Sequence, residues 1–339
     1  VPTLSPLRVA AAALVVFLLL RLLQEVDWGR AAGALSRTRV GLVALAALLN
    51  LTANSAVRVA RRAALLRPLS RGSLGRVGFA ELAGLFFTNY AANSLLPARA
   101  GDALFVAQLH RRHGYPVATL VGAQLVEKAV EASSLWLSAW AVAAFVPLPL
   151  ALAAPLYAFL GVGSVCVLLL ASDSGFRGVA REAAAEPVAV REDLAVGGLR
   201  FGLRGLLGQF RSSLRLLNAP RVWSRAVFWS FASDLVDALM IGLCLIAVGI
   251  HVAPGVWLLV LLAVNFAIIV PATPGQVGAL EAAAVATLRM LDVGTSEALV
   301  FALLYHAVHI VPMSLAGAIS FARSSFSRRA PEAARPARL

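Results

Sequence analysis

The chain has 339 residues, 60% of them hydrophobic and only 14% charged, with a net charge of +13 and a mean hydropathy of +0.82. A soluble domain carries about 25% charged residues, so the composition excludes a globular domain of any size and indicates an integral membrane protein. The positive charge is almost wholly arginine, since Lys128 is the only lysine, and in a membrane protein such an excess reports topology and anionic lipid before nucleic acid.

Taken in chain order, Val9–Leu20 lies between Arg8 and Arg21 and reads as a first helix over about 7–23. A signal peptide is the other possibility, but no small-residue cleavage site follows. Val40–Val57 is the second apolar segment. Arg58, Arg61, Arg62, Arg67, Arg71 and Arg76 come next with no acid among them, and the positive-inside rule makes this a cytoplasmic loop.

An apolar run from Gly78 is then interrupted by Asn93-Ser-Leu-Leu-Pro97-Ala-Arg99-Ala-Gly101-Asp102. In hydrocarbon such a break is tolerated only where protein or a polar cavity satisfies the freed backbone groups. A short helix follows to Gly114, then long helices over 117–146 and 151–171. Residues 173–222 form the longest polar stretch, with eight arginines against five acids, and are also expected to be cytoplasmic. Within them Leu203, Leu207, Phe210, Leu214 and Leu217 share a face, as in an amphipathic helix lying on a membrane.

Two inside loops require an even number of crossings between them, yet three apolar stretches lie there. The simplest repair is that 78–113 enters from the cytoplasm, turns at 97–101 and returns. The same count works downstream. A span over 223–250 leads to a segment over 255–270, a second break at Pro271-Ala-Thr-Pro274-Gly275-Gln-Val-Gly278-Ala-Leu-Glu281, and a last span over 296–321. The expected fold is an all-α polytopic membrane protein of about six transmembrane helices plus two re-entrant hairpins in an inverted repeat. It forms one domain, with a first repeat over 40–146, a second over 223–322 and a basic tail over 323–339. Paired interrupted segments of this kind point to a binding site.

Several residues could carry chemistry. Thr273 can cap a helix with Pro274 at its first position and Gln276 completing the box. That helix end would carry partial positive charge suited to an anion, as would the return after Pro97, beside Arg99. Structural kinks packed in protein are the other reading of both breaks. Gln124, Glu127, Glu131, Ser134 and Ser138 share one face of the helix at 117–146, and Lys128 is placed to pair with Glu131. Each ionisable group at a helix centre costs about 2.5–3.5 kcal/mol on insertion scales. The acids should therefore face inward, toward Arg99, Asp102 or a watery cleft. Asp234 and Asp237 are expected to bond neighbouring helices. His306 and His309 share a face of the last span, where a proton or headgroup contact fits better than a metal. Cys166 and Cys244 sit in apolar runs and imply no disulfide, and no nucleotide-binding loop or cofactor motif occurs.

The run Asn93…Pro97-x-Arg99-x-Gly101-Asp102, then Glu127-Lys128-x-x-Glu131, then Pro271-x-x-Pro274-Gly275-x-x-Gly278-x-x-Glu281 resembles the membrane domain of bacterial lysylphosphatidylglycerol synthases and the stand-alone flippase-like proteins related to them. The likeness covers about 40–322. It departs at Asp102 where Glu is usual, Lys128 for Arg, Glu131 for Asp, and Gln276 where Gly is common. In the synthases this part is associated with moving an aminoacylated lipid between leaflets, while a separate soluble domain attaches the amino acid. With only a short tail after the last span, the chain is expected to be a stand-alone member without that activity.

The resemblance implies lipid translocation as a class and leaves the lipid unnamed, while Arg99 and the two helix ends point to an anionic or phosphate-linked phospholipid or glycolipid. The chain is expected not to be an enzyme and to lie in a bacterial inner membrane, where the arginine-rich loops and tail put both termini in the cytoplasm. Two alternatives stay open: a non-transporting partner of a lipid-modifying enzyme, and an intramembrane enzyme acting on a lipid. A homo-oligomer is compatible with each, and nucleic acid is not an expected partner.

Overall fold

The computed structural model describes residues 23–69, 77–96, 100–171, 220–267 and 274–326, with Phe17 and Arg21 ahead of them, and among these residues all regular structure is helical. The expected first span, the amphipathic face at 203–217 and most of the basic tail lie outside the described residues. So do Pro97, Arg99 and Thr273.

The helices are α1 (Trp28–Ser36), α2 (Val40–Leu49), α3 (Ser55–Leu66), α4 (Phe79–Leu95), α5 (Ala100–His113), α6 (Val117–Phe145), α7 (Leu150–Ala171), α8 (Pro220–Val248), α9 (Pro254–Ala267), α10 (Ala279–Arg289) and α11 (Thr295–Phe326). Among the described residues three stretches can cross a membrane by length and composition: Val40–Leu69, Arg221–Val248 and Thr295–Arg323. At 29 residues, α6 is about 43 Å long, and the protein is an all-α polytopic membrane protein.

Two features depart from expectation. The short α1 was not anticipated. Asp27 caps it by accepting from the Arg30 N–H at 3.0 Å, and α1 packs on α11, where the Asp27 N–H donates to Ser296 Oγ at 3.1 Å. The second departure is larger: no loop begins at Arg58. A π turn at Asn50–Asn54 joins α2 directly to α3, and the helix runs on to Leu66 with Arg58, Arg61 and Arg62 on it.

Within the described residues the helices around the two breaks are short. α4, α5, α9 and α10 have 17, 14, 14 and 11 residues, each below the roughly 20 needed to cross hydrocarbon. α4 and α5 form an antiparallel hairpin: Glu81 meets Arg112 at 3.4 Å and His113 at 3.1 Å at its open end. At the closed end the Asn93 amide donates to Asp102 at 2.9 Å. α9 and α10 pack on each other in the same way.

Exchanging α2–α3 with α8, α4 with α9, α5 with α10 and α6 with α11 leaves the map of packed pairs intact. α4 lies on α11 as α9 lies on α6, and α6 lies on α8 as α11 lies on α2. Each half has its own apolar core, one around Leu82, Phe86, Phe105 and Leu109, the other around Leu245, Leu261, Leu288 and Phe301.

Close approach in the first half depends on glycine. A Cβ on Gly101 would overlap the Asn89 carbonyl oxygen, and one on Gly317 would overlap Ala91 and the Phe87 carbonyl, whereas Gly84 on the same hairpin has open space. Gly101→Ala and Gly317→Ala are therefore expected to lower stability by about 1–3 kcal/mol or more through overpacking. Gly84→Ala should be neutral or raise it by roughly 0.5–1 kcal/mol. Thermal unfolding of the three purified variants checks both signs.

Candidate functional site

Arg58, Arg61 and Arg62 stand at helical spacing and turn inward, where each finds carboxylate or amide partners. Arg61, 5% exposed, donates to Glu127 at 2.7 Å, to Glu131 at 2.5 Å and to Ser230 of α8 at 3.1 Å. Arg62 Nε reaches the same Glu127 oxygen at 3.2 Å, and its Nη2 reaches Asn89 at 3.1 Å. Lys128 donates to the other Glu131 oxygen at 2.7 Å. Arg58 pairs with Asp237 of α8 at 2.6 Å and donates to Asn54 and Ser233, both at 3.1 Å. The expected neighbours of the α6 acids were Arg99, Asp102 or a watery cleft, with Lys128 beside Glu131. Among the described residues Lys128 does pair with Glu131, and the other partners are the arginines read as loop, because the helix carrying them continues into the bundle.

The π turn is tied to the last helix. Pro312 lies inside α11 and has no N–H to offer the Val308 carbonyl one turn back. Asn50 supplies the missing donor, reaching Val308 O at 3.0 Å and His309 O at 3.1 Å. Tyr90 donates to the same His309 carbonyl at 3.3 Å.

The two breaks meet. A Cβ built on Gly275 would lie 3.3 Å from the Ser94 carbonyl, and the turn at Pro274–Gln276 packs on α4. On the first side, Asp102 accepts from Asn93 at 2.9 Å and from Asn89 at 3.1 Å, and Gln124 donates to its carbonyl at 3.1 Å. On the second side, Glu281 accepts from the Gly278 N–H at 2.6 Å with one oxygen and faces His306 Nδ1 with the other. His306 Nε2 lies 3.0 Å from the Gly275 carbonyl. A carbonyl only accepts, so Nε2 carries a proton, and a further proton must lie between Nδ1 and the carboxylate. The pair is therefore neutral as a unit.

This corrects the expected cap. Gly275, Gln276 and Gly278 have φ of 64°, 63° and 92°, which a right-handed helix from Pro274 cannot contain. The α-helix starts at Ala279 instead, and Glu281 takes the Gly278 N–H at its start.

The structure thus gathers Asn93, Gly101 and Asp102 on one side and Gly275, Gly278, Glu281 and His306 on the other. Glu127, Lys128 and Glu131 form a cluster with the arginines, joined to the first side through Asn89, which accepts from Arg62 and donates to Asp102. His309 stays apart, its ring beside Tyr90 and Tyr305. The residues missed were Arg58, Arg61, Arg62, Asn50 and Asn54. A signal was available: arginines at spacings of three and four, continued by the apolar Ala63-Ala-Leu-Leu66, match the unpaired acids of 127–131 and 234–237.

The sequence model of the lysylphosphatidylglycerol synthase TM region matches residues 7–317. The chain belongs to this family. No curated protein matches it. Membership in the lysylphosphatidylglycerol synthase TM region family gives the chain a function related to membrane lipid, and the two clusters are the polar features around which that function is sought.

Two outcomes test the geometry. Removing one partner of the Arg58–Asp237 pair should cost about 3–5 kcal/mol, and replacing both with apolar residues should recover most of it. Unfolding of Arg58→Met, Asp237→Leu and the double variant closes that cycle. Gln276→Gly relieves a left-handed backbone that a side chain disfavours by about 1–2 kcal/mol, so its unfolding midpoint should rise.

Proposed function

We propose that the protein is a translocator that moves an anionic or phosphate-linked lipid between leaflets. The observation that carries the reading is the meeting of two interrupted segments from opposite halves, at Ser94 and Gly275. Helix breaks deep in a membrane protein are tolerated where they line a cavity or pack in protein, and paired breaks are a pointer to a transporter's binding site. The symmetric packing of the halves supports an inverted repeat, and the short helices α4, α5, α9 and α10 support hairpins that re-enter rather than cross. In this reading the chain lies in a bacterial inner membrane with both termini cytoplasmic.

Arg99, at the first break, receives the headgroup's negative charge. Because Glu281 occupies the start of α10, the second break receives a cationic part of the headgroup, or a proton held with His306. Asn93 and Asp102 hold the first hairpin closed around Gly101. Translocation makes and breaks no covalent bond, so no nucleophile is required of the site.

In proteoliposomes carrying headgroup-labelled anionic or zwitterionic lipids, the parent should move the phosphate-bearing anionic lipid faster than protein-free vesicles do. Folded Arg99→Ala and Glu281→Gln should each slow it by about tenfold or more, a loss of about 1.4 kcal/mol in the barrier. Both variants moving lipid at the parent rate would remove these residues from the site. No lipid moved by the parent would favour a partner of a lipid-modifying enzyme, to be sought among co-purifying proteins.

A further inference from the structure

Among the described residues Arg61 Nε and Arg62 Nη1 are both buried without a hydrogen-bond partner, and of the two arginines Arg62 is the one that lines a cleft. Its guanidinium is held between two rings, 4.7 Å from the Phe105 centroid and 5.2 Å from that of Phe86. Nε shares a Glu127 oxygen that Arg61 holds more closely, at 2.7 Å against 3.2 Å. Nη2 is bound to Asn89. Nη1 is buried and has no hydrogen-bond partner among the described residues. A buried donor left unmade costs about 1–3 kcal/mol, more when charged, a cost that a ligand would relieve.

The charge count points the same way. Arg61, Arg62 and Lys128 face two carboxylates, Glu127 and Glu131, in one connected cluster. One positive charge is left over within it. Arg58 pairs with Asp237 and, with Arg61, lies in the field of Asp234. Arg61 has both carboxylates at 2.7 Å or less, so Arg62 is the looser partner of Glu127.

Arg62 also lines a cleft between α3, α5 and α6 with Gln124 and Glu127, walled by Leu65, Leu66 and Phe105. The enclosed part has room for about one water-sized group. That is the size of a single oxygen, and a planar guanidinium fixed by stacking suits an oxyanion better than an ammonium would.

We propose that Arg62 and Gln124 form a subsite that accepts one oxygen of a phosphate, the headgroup of a lipid whose apolar part rests against the leucine and phenylalanine walls. The proposal rests on the translocator reading only for the source of that phosphate. Binding is tested apart from transport.

Purified protein in a phosphate-free maltoside detergent is unfolded thermally with dihexanoyl phosphatidate, inorganic phosphate or dihexanoylglycerol. A ligand that binds only the folded state raises the midpoint with concentration. Phosphatidate should raise it saturably, and neutral dihexanoylglycerol should not. Arg62→Gln should abolish the shift, and Arg62→Lys should weaken apparent affinity by about tenfold, the loss expected for one poorer charge-assisted contact. Should Arg62→Gln fail to fold, Gln124→Glu carries the test, because it sets a negative charge in the cleft while keeping every arginine pair.

A shift with inorganic phosphate equal to that with phosphatidate supports the subsite and assigns it to free phosphate. A shift with phosphatidate alone supports it and assigns a lipid headgroup. Equal shifts in parent, Arg62→Gln and Gln124→Glu, or a shift with dihexanoylglycerol as large as with phosphatidate, overturn the subsite and leave a cleft that holds water only. Arg62-dependent binding without lipid movement by the parent would keep the subsite and retire the translocator. Movement and binding both unaffected by Arg62→Gln would do the reverse.

Discussion

The interior charge balance of the bundle holds the arrangement together. α6 carries Glu127 and Glu131, α8 carries Asp237, and none of these could be buried alone at tolerable cost. α3 answers them with Arg58, Arg61 and Arg62 on one face. The consequence is geometric. Three elements far apart in sequence must pack side by side, with α3 against both α6 and α8. Ion pairs add little net stability when geometry is good and cost much when a partner is missing. Their effect here is to specify which helices are neighbours, while the apolar cores supply the driving force for packing.

A second constraint concerns the backbone. α11 carries Pro312 within it and so lacks one backbone donor, and the α2–α3 helix is widened at Asn50–Asn54. Either irregularity alone would leave polar backbone groups exposed in an apolar interior. They are placed against each other, so that Asn50 serves the carbonyl that Pro312 cannot. The same side chain accepts from Asn54, which donates to Asp237 at 2.7 Å. The backbone repair and the charge cluster are thus one hydrogen-bonded system joining α2, α3, α8 and α11.

What the sequence disclosed follows from which signals are local. Long apolar periods marked α6, α8 and α11, and the Pro–Gly breaks marked the hairpins, because hydrophobicity and turn chemistry are written in neighbouring residues. The arginines of α3 were misread because the positive-inside rule counts charge near a span without asking which face it occupies; only the acids some 65 to 180 residues away show that the face is internal. The start of α10 was misplaced for a related reason. Thr273-Pro274-Gly-Gln276 satisfies a capping pattern, yet Gln276 takes a left-handed conformation that its residue type does not announce. The joining of Glu281 to His306 was hidden as well, since two polar residues 25 apart could have served any neighbouring helix.

The two halves share a packing map but not a chemistry. In the first, Glu127 and Glu131 are matched to arginine and lysine, which keep their charge at any ordinary pH. In the second, Glu281 is matched to His306, whose imidazole, unlike arginine, is not a permanent cation. Rearranging the first half means separating permanent charges. Under the exchange of halves Glu281 on α10 answers to Asp102 on α5. The carboxylate beside each break is therefore held differently, by the Asn89 and Asn93 amides in the first half and by His306 in the second, beside Gly275 where the two breaks touch.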